Sequence, residues 1–121
     1  MGEALFDTAI VVDALIGLPA ARAEVARARE RWISRLTWTE VLAGAHGDAE
    51  RVEEFLDFFH VVELNEEIAR RAATLRSQRP AMALADAVVL ASAQVTGRIL
   101  VTRNSADFPA EMPGIRIPYS Q

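Results

Sequence analysis

Four carboxylates are the residues of this sequence best suited to chemistry: Asp7, Glu40, Asp86 and Asp107. Asp86 is the most informative of them, because it interrupts the almost continuously apolar segment 81–91. An unpaired carboxylate buried in such a segment costs several kcal/mol, and the positive end of a helix offsets only about 0.3–1 kcal/mol of that cost. A bound cation could offset the remainder, so we interpret Asp86 as a functional residue.

The available ligand types restrict which cation this could be. The sequence has no cysteine, and its two histidines, His46 and His60, do not have the spacing of a zinc motif. Several carboxylates brought together repel one another unless a hard cation neutralises them, and ligand sets made only of oxygen favour Mg²⁺ or Mn²⁺. Such an ion activates water and stabilises charge on a phosphoryl group.

Two of the acids also have a purely structural interpretation. Asp7 follows a short apolar run and could simply cap the next helix. The segment 37–40 reads Thr-Trp-Thr-Glu, which fits a capping box in which Thr37 caps a helix and Glu40 reaches back to its amide. Capping and catalysis therefore both remain open for these two residues.

The polar residues after residue 101 are less distinctive. Asn104 or Ser105 could cap a short turn there, and Asp107 carries little weight when it is considered alone. Asp13 lies six residues after Asp7, and we expect it to be an exposed helix residue.

The rest of the pattern indicates how these acids are positioned. Predicted strands cover residues 4–6, 32–36, 60–64, 98–101 and 115–117. Predicted helices cover residues 10–18, 20–31, 37–45, 48–59, 66–77 and 84–96, with Asn65 as the cap of the fifth and Gly97 ending the last. This alternation predicts an α/β fold with a mostly parallel sheet and helices on both faces.

A parallel sheet gathers residues that are distant in sequence. Ligands bind in such folds outside the carboxyl ends of the strands. Asp7, the turn 37–40 and the segment 102–107 each follow a predicted strand, so we expect them at one edge of the sheet.

Composition is consistent with one domain over residues 1–121, a length that can bury a core without disulfides. The net charge of −4 counts against a nucleic-acid partner held by bulk electrostatics. Five arginines in residues 22–35 soften this objection, although charge runs are usually solvated helix faces. The apolar run 9–12 is far shorter than the ~20 residues of a membrane helix, so we expect a soluble, cytosolic protein.

Four motifs in order resemble those of a known family. They are Leu5-Phe6-Asp7-Thr8, the segment from Ile33-Ser34 to Thr39-Glu40, Leu84-Ala85-Asp86-Ala87, and Leu100-Val101-Thr102-Arg103-Asn104 with Asp107-Phe108. No single motif is very specific, but their order, separations and chain length together resemble PIN-domain ribonucleases, in particular the VapC-like toxins of type II (VapBC) toxin–antitoxin systems.

The resemblance implies a three-layer sandwich around a four- or five-stranded sheet. It also implies a Mg²⁺- or Mn²⁺-dependent endoribonuclease of the bacterial cytoplasm, usually a homodimer, which a small antitoxin neutralises by inserting a segment into the acidic groove. The catalytic acids of the family fall on Asp7, Glu40 and Asp86, with Asn104 or Asp107 at the fourth position. Asp7 and Asp86 are the expected metal ligands, and the expected supporting residues are Thr8, Thr102 and Asn104.

Two departures from the family pattern are visible. Ala9 stands where Asn or Ser is common, and Ala85 stands where Pro is common. Neither departure removes an acid, but a non-catalytic PIN-like binding domain remains the alternative function. A receiver-like or phosphatase-like domain using Asp7 as a phosphoryl acceptor is disfavoured, because that class needs a lysine and this chain has none.

Overall fold

The strands of this protein are short, and the helices are longer than any of them. The computed structural model describes residues 3–45, 48–109 and 111–120. The strands are β1 (Ala4–Phe6), β2 (Arg31–Ser34), β3 (His60–Val62), β4 (Ile99–Val101) and β5 (Ile115–Arg116). The helices are α1 (Thr8–Leu15), α2 (Pro19–Arg27), α3 (Arg35–Ala43), α4 (Ala49–Leu56), α5 (Glu66–Gln78) and α6 (Leu84–Val95).

The strands form one sheet in the order β3-β2-β1-β4-β5, and every neighbouring pair is parallel. This confirms the predicted α/β class, and the sheet has five strands where four or five, mostly parallel, were expected. The chain fills one side of β1 with β2 and β3, and then returns to the other side with β4 and β5. The order therefore reverses between β1 and β4, which is where open parallel sheets bind ligands beyond the carboxyl ends of the strands.

The central strand β1 is buried on both faces because helices cover the sheet on both sides. Leu5 belongs to the apolar cluster formed with α5 and α6, whereas the next residue, Phe6, belongs to the cluster formed with α1, α3 and α4. Successive side chains of a strand point to opposite faces, so a strand with helices on both sides reads as a continuous apolar run. The predicted three-layer arrangement is confirmed.

Helix α6 is the central helix that the sequence predicted. Six of its residues are buried: Ala87, Val89, Leu90, Ala91, Ser92 and Ala93. Gly97 follows it with φ +69°, a conformation that suits glycine. Asp86 lies in its first turn, so packing of the helix against the sheet fixes the position of that carboxylate.

The largest boundary correction concerns the predicted helix 20–31, which ends at Arg27, so that Arg31 begins β2. Helix α3 begins at Arg35 and not at Thr37. Ser34 is its cap, because the Ser34 side chain accepts a hydrogen bond of 2.9 Å from the Thr37 amide. The predicted strand 32–36 consequently ends at Ser34. No helix in the described part of the chain is long and apolar enough to cross a bilayer.

Candidate active site

Asp7 occupies the point where β1 ends and α1 begins. Its amide donates to the Val101 carbonyl at 2.9 Å, which continues the pairing with β4. Its carboxylate accepts hydrogen bonds of 2.8 Å from the Thr8 amide and 2.8 Å from the Thr102 hydroxyl. Asp7 thus caps α1, as its structural interpretation required, and it also lies at the switch point of the sheet.

The pKa of Asp7 is raised above its ordinary value. Burial is the main cause, since it penalises the charged form, and the nearby Glu40 charge adds to the effect. Hydrogen bonds from Thr102 and Thr8 act in the opposite direction, as does the more distant charge of Arg103. The carboxylate is therefore held in a site that favours its neutralisation.

Glu40 is held by a chain of hydroxyl groups. The Thr8 hydroxyl donates to Glu40 Oε1 at 2.8 Å and lies 3.0 Å from the Thr37 hydroxyl. Because each hydroxyl has one proton, Thr37 must be the donor to Thr8. Thr37 in turn accepts from the Ser34 hydroxyl at 3.1 Å. Buried Ser34 and Thr37 thereby orient the exposed Glu40 carboxylate through Thr8.

The predicted capping box at residues 37–40 is wrong. Ser34 caps α3, so Thr37 lies inside the helix and Glu40 is not three residues beyond the cap. The carboxylate of Glu40 accepts from Thr8, on a different helix. The local pattern was misleading because Ser34, three residues earlier, supplied a better-placed cap.

Asp86 carries the clearest electrostatic signature of the site. Its pKa is raised to about 6, first by burial and then by the negative charges of Asp7, Asp107 and Glu40. A hydrogen bond with the Asp107 carboxyl raises it further. The structure therefore brings together the four acids named from the sequence, close enough to perturb the titration of one of them.

Asn104 and Asp107, the two candidates for the fourth site position, have different contacts in the loop after β4. The Asn104 side-chain amide donates to Asp107 Oδ2 at 2.7 Å, and the Asn104 backbone amide donates to the Thr102 hydroxyl at 3.1 Å. Asp107 acts on Asp86 directly. Asn104 therefore orients Asp107 and Thr102, while Asp107 supplies the fourth charge.

The donor chemistry of this cluster fits a hard divalent cation. Its charged groups are all carboxylates, and neighbouring negative charges raise the pKa of Asp86, so a cation would relieve their repulsion. Among residues 3–45, 48–109 and 111–120, no three histidine or acidic side chains form a group that could hold an ion by themselves. Two carboxylates completed by water is a common Mg²⁺ arrangement. Of the two histidines considered above for a zinc motif, His60 lies in β3 and His46 is outside the described residues.

Asp13 is not the exposed residue that the sequence predicted. It is only 7% exposed. Its carboxylate accepts from Arg103 Nε at 2.7 Å and from the Tyr119 hydroxyl at 2.8 Å. Sequence reasoning missed this group because its members are 90 and 106 positions apart in the chain, far beyond the reach of helix periodicity.

A family model described as PIN domain matches residues 4–110. A solved structure described as a toxin-antitoxin complex from Klebsiella pneumoniae is 36% identical, has a TM-score of 0.90, and is matched over 98% of this chain and 99% of that one. DNA-bound VapBC from Salmonella typhimurium is 23% identical with a TM-score of 0.78, over 97% of each chain. FitAcB from Neisseria gonorrhoeae is 21% identical with a TM-score of 0.79, over 95% of this chain and 97% of that one. No curated protein matches in sequence.

Proposed function

Because this chain belongs to the PIN domain family, we propose that it is a metal-dependent endoribonuclease toxin of a bacterial toxin–antitoxin pair of the VapBC type. The observation that carries the proposal is the convergence of Asp7, Glu40 and Asp107 around Asp86 at the carboxyl edge of the sheet, where their charges help to raise the pKa of Asp86. An acid cluster with no task only destabilises a fold. Its persistence at the ligand-binding edge of the sheet favours a catalytic over a purely structural role.

We assign Asp7 and Asp86 the task of holding Mg²⁺ or Mn²⁺. When bound there, the ion would supply an activated water and stabilise charge on the phosphoryl group. Thr102 and the Thr8 amide fix both oxygens of Asp7, so this carboxylate is oriented in advance. Asn104 does the same for Asp107, which adds negative charge beside Asp86.

Glu40 is the candidate proton acceptor for the attacking water. It is exposed, so water reaches it, and the Thr8 hydroxyl fixes its Oε1 atom at 2.8 Å. A general base must lie within hydrogen-bond reach of the proton that it removes. The hydroxyl chain from Ser34 through Thr37 holds the Thr8 hydroxyl in place as this donor.

The partners follow from the same assignment. We propose that RNA is the substrate and that a small antitoxin protein is the inhibitor. We also propose a homodimer as the active form, the bacterial cytoplasm as the location, and a single domain over residues 1–121. The relative from Klebsiella is described as a toxin–antitoxin complex, which supports the antitoxin. Exposed Ile16, Phe58 and Leu84 offer apolar surface for protein contacts.

The decisive experiment is cleavage of structured cellular RNA by the purified chain. We expect cleavage with Mn²⁺ or Mg²⁺, none with EDTA, and none with Asp86→Asn in any of these conditions. Full-rate cleavage in EDTA, or equal cleavage by Asp86→Asn, would overturn the proposal. Induction of the chain alone should also arrest bacterial growth, and Asp7→Ala, Glu40→Ala and Asp86→Ala should each relieve the arrest.

A further inference from the structure

Arg103 lies between two residues that hold the acids in place. Thr102, just before it, donates to Asp7, and Asn104, just after it, donates to Asp107. The guanidinium itself reaches the other end of α1, where its Nε donates to Asp13 at 2.7 Å and a terminal nitrogen lies 3.5 Å from the same carboxylate. Three consecutive residues of this loop therefore contact three different acids.

Helix α1 connects the two anchoring points. Asp7 caps its first turn and Asp13 lies in its last turn. The eight hydrogen-bonded residues of α1 keep these acids at a fixed separation. Attachment of adjacent residues, Thr102 and Arg103, to the two ends of one helix fixes both the position and the direction of the loop.

Tyr119 closes this arrangement from the segment that follows β5. Its hydroxyl donates to Asp13 Oδ2 at 2.8 Å. Burial, and then the hydrogen bond and charge of Asp13, raise the pKa of the phenol, so it remains a donor at every physiological pH. Asp13 therefore receives a charged donor from the loop after β4 and a neutral donor from the segment after β5, both on Oδ2.

We propose that Asp13, Arg103 and Tyr119 form a positioning triad that fixes the loop 102–108, and through it Thr102 and Asp107, against the catalytic acids. None of the three touches the reacting atoms. The expected fall in kcat rests on the proposed ribonuclease activity, whereas the expected fixing of the loop 102–108 does not. A buried ion pair contributes little net stability compared with apolar packing, which agrees with a role in placing the loop.

The test compares Asp13→Asn and Tyr119→Phe with a matched control, Glu24→Gln. Glu24 is also a poorly exposed carboxylate paired with arginine, at 2.8 Å from Arg116, but it touches no residue of the loop 102–108 in any hydrogen bond of the described residues. For RNA cleavage with Mn²⁺ we expect kcat to fall about tenfold in both triad variants with KM unchanged. We expect Glu24→Gln to keep both constants.

Amide hydrogen exchange of the metal-free protein supplies a second readout that needs no activity. The Phe108 amide donates to the Asn104 carbonyl at 3.0 Å, and in Asp13→Asn its exchange should accelerate about tenfold more than exchange in β4 and α6, which follows the global loss of stability. Tyr119→Phe, which removes one hydroxyl, carries both measurements if Asp13→Asn does not fold.

Each outcome decides the inference. A selective rise in loop exchange together with a loss confined to kcat supports the triad. Unchanged exchange, a uniform rise over the whole chain, or unchanged kcat in an active enzyme overturns it. If wild-type protein cleaves no RNA, the proposed function fails, and the exchange of Phe108 alone then supports or overturns the positioning role.

Discussion

Helix α1 carries a buried aspartate at each end, and the two have opposite surroundings. Asp7 and Asp13 are 6% and 7% exposed. Asp13 faces the guanidinium of Arg103 and the hydroxyl of Tyr119. Asp7 accepts only from an amide and a hydroxyl, and its nearby charges include the carboxylate of Glu40. The two aspartates are equally buried but differ in the charges around them. Asp13 is paired with a cation, whereas Asp7 lies near a second carboxylate.

This difference distinguishes a structural carboxylate from the clustered carboxylates of the candidate site. Removal of a carboxylate whose charge is matched within the fold leaves a partly buried cation unpaired, which destabilises the native state. Carboxylates that raise one another's pKa store unfavourable energy, which a bound cation or a proton can release. Substitutions at the two ends should therefore change stability and activity in different directions.

The largest expected effect is on activity at the acid-cluster end. Asp86→Asn should lower the rate of RNA cleavage at least about 100-fold, equivalent to about 2.7 kcal/mol in the barrier, because it removes a charged ligand. The measurement is single-turnover cleavage with saturating Mn²⁺. A variant that retained wild-type rate would show that the acid cluster is not the site.

The next effect is a loss of stability at the other end. Asp13→Asn should destabilise the fold by about 2 kcal/mol, less than the roughly 3–5 kcal/mol of a fully buried pair, because Arg103 is 21% exposed. Chemical denaturation in EDTA measures this value, with exposed Glu66→Gln as control, since its pair with Arg70 lies on the surface. Equal effects of the two variants would contradict the contrast between the ends of α1.

A smaller effect is expected from the hydroxyl chain. Thr8→Val keeps the shape of the side chain but removes the donor to Glu40, so cleavage should slow about tenfold. Thr8→Ser keeps the hydroxyl and should stay close to wild type. A Thr8→Val enzyme that is as fast as Thr8→Ser would show that Glu40 does not need this orientation.

Glu40→Gln should be inactive with its helix content preserved; full activity would remove Glu40 from the site.

The smallest effect is a gain in stability with a defined pH dependence. At pH 8 in EDTA, Asp86→Asn should be more stable by about 1 kcal/mol, or roughly 4 °C in Tm. The pKa of Asp86 in the folded protein is about 6 against an ordinary 3.8, so the folded state binds the extra proton between these values. The contribution of Asp86 to wild-type stability therefore rises as pH falls from 7 to 4, and the advantage of the variant over wild type should disappear over that range.

Melting curves recorded from pH 4 to pH 8 check this prediction, and Mn²⁺ should stabilise the wild type more than the variant. A lower Tm of Asp86→Asn at pH 8 with an equal response to Mn²⁺ would make Asp86 a structural residue. Glu53→Gln, on the exposed surface of α4, is the matched control and should follow the wild type at each pH.

Much of the fold could be read from local patterns. The run of apolar residues around Asp86 gave α6 its place in the core, and Asn65 was correctly identified as a cap, since its side chain accepts from the Ile68 amide at 2.9 Å. Short strands such as Ala4–Phe6 were recognisable because burial on both faces makes them continuously apolar. Boundaries failed where two caps competed, as at Ser34 and Thr37.

What the sequence determined by itself was the set of carboxylates and the alternation of strands and helices that carries them to one edge of the sheet. Periodicity and capping extend over about four residues, which suffices for elements and their order. Only the tertiary structure decided that Asp13 is buried against Arg103 and Tyr119 and that Asn104 orients Asp107. It also decided that Thr8 connects Glu40 to Thr37. Most of these contacts join residues tens of positions apart, and the choice among possible partners is made when the sheet and its helices pack.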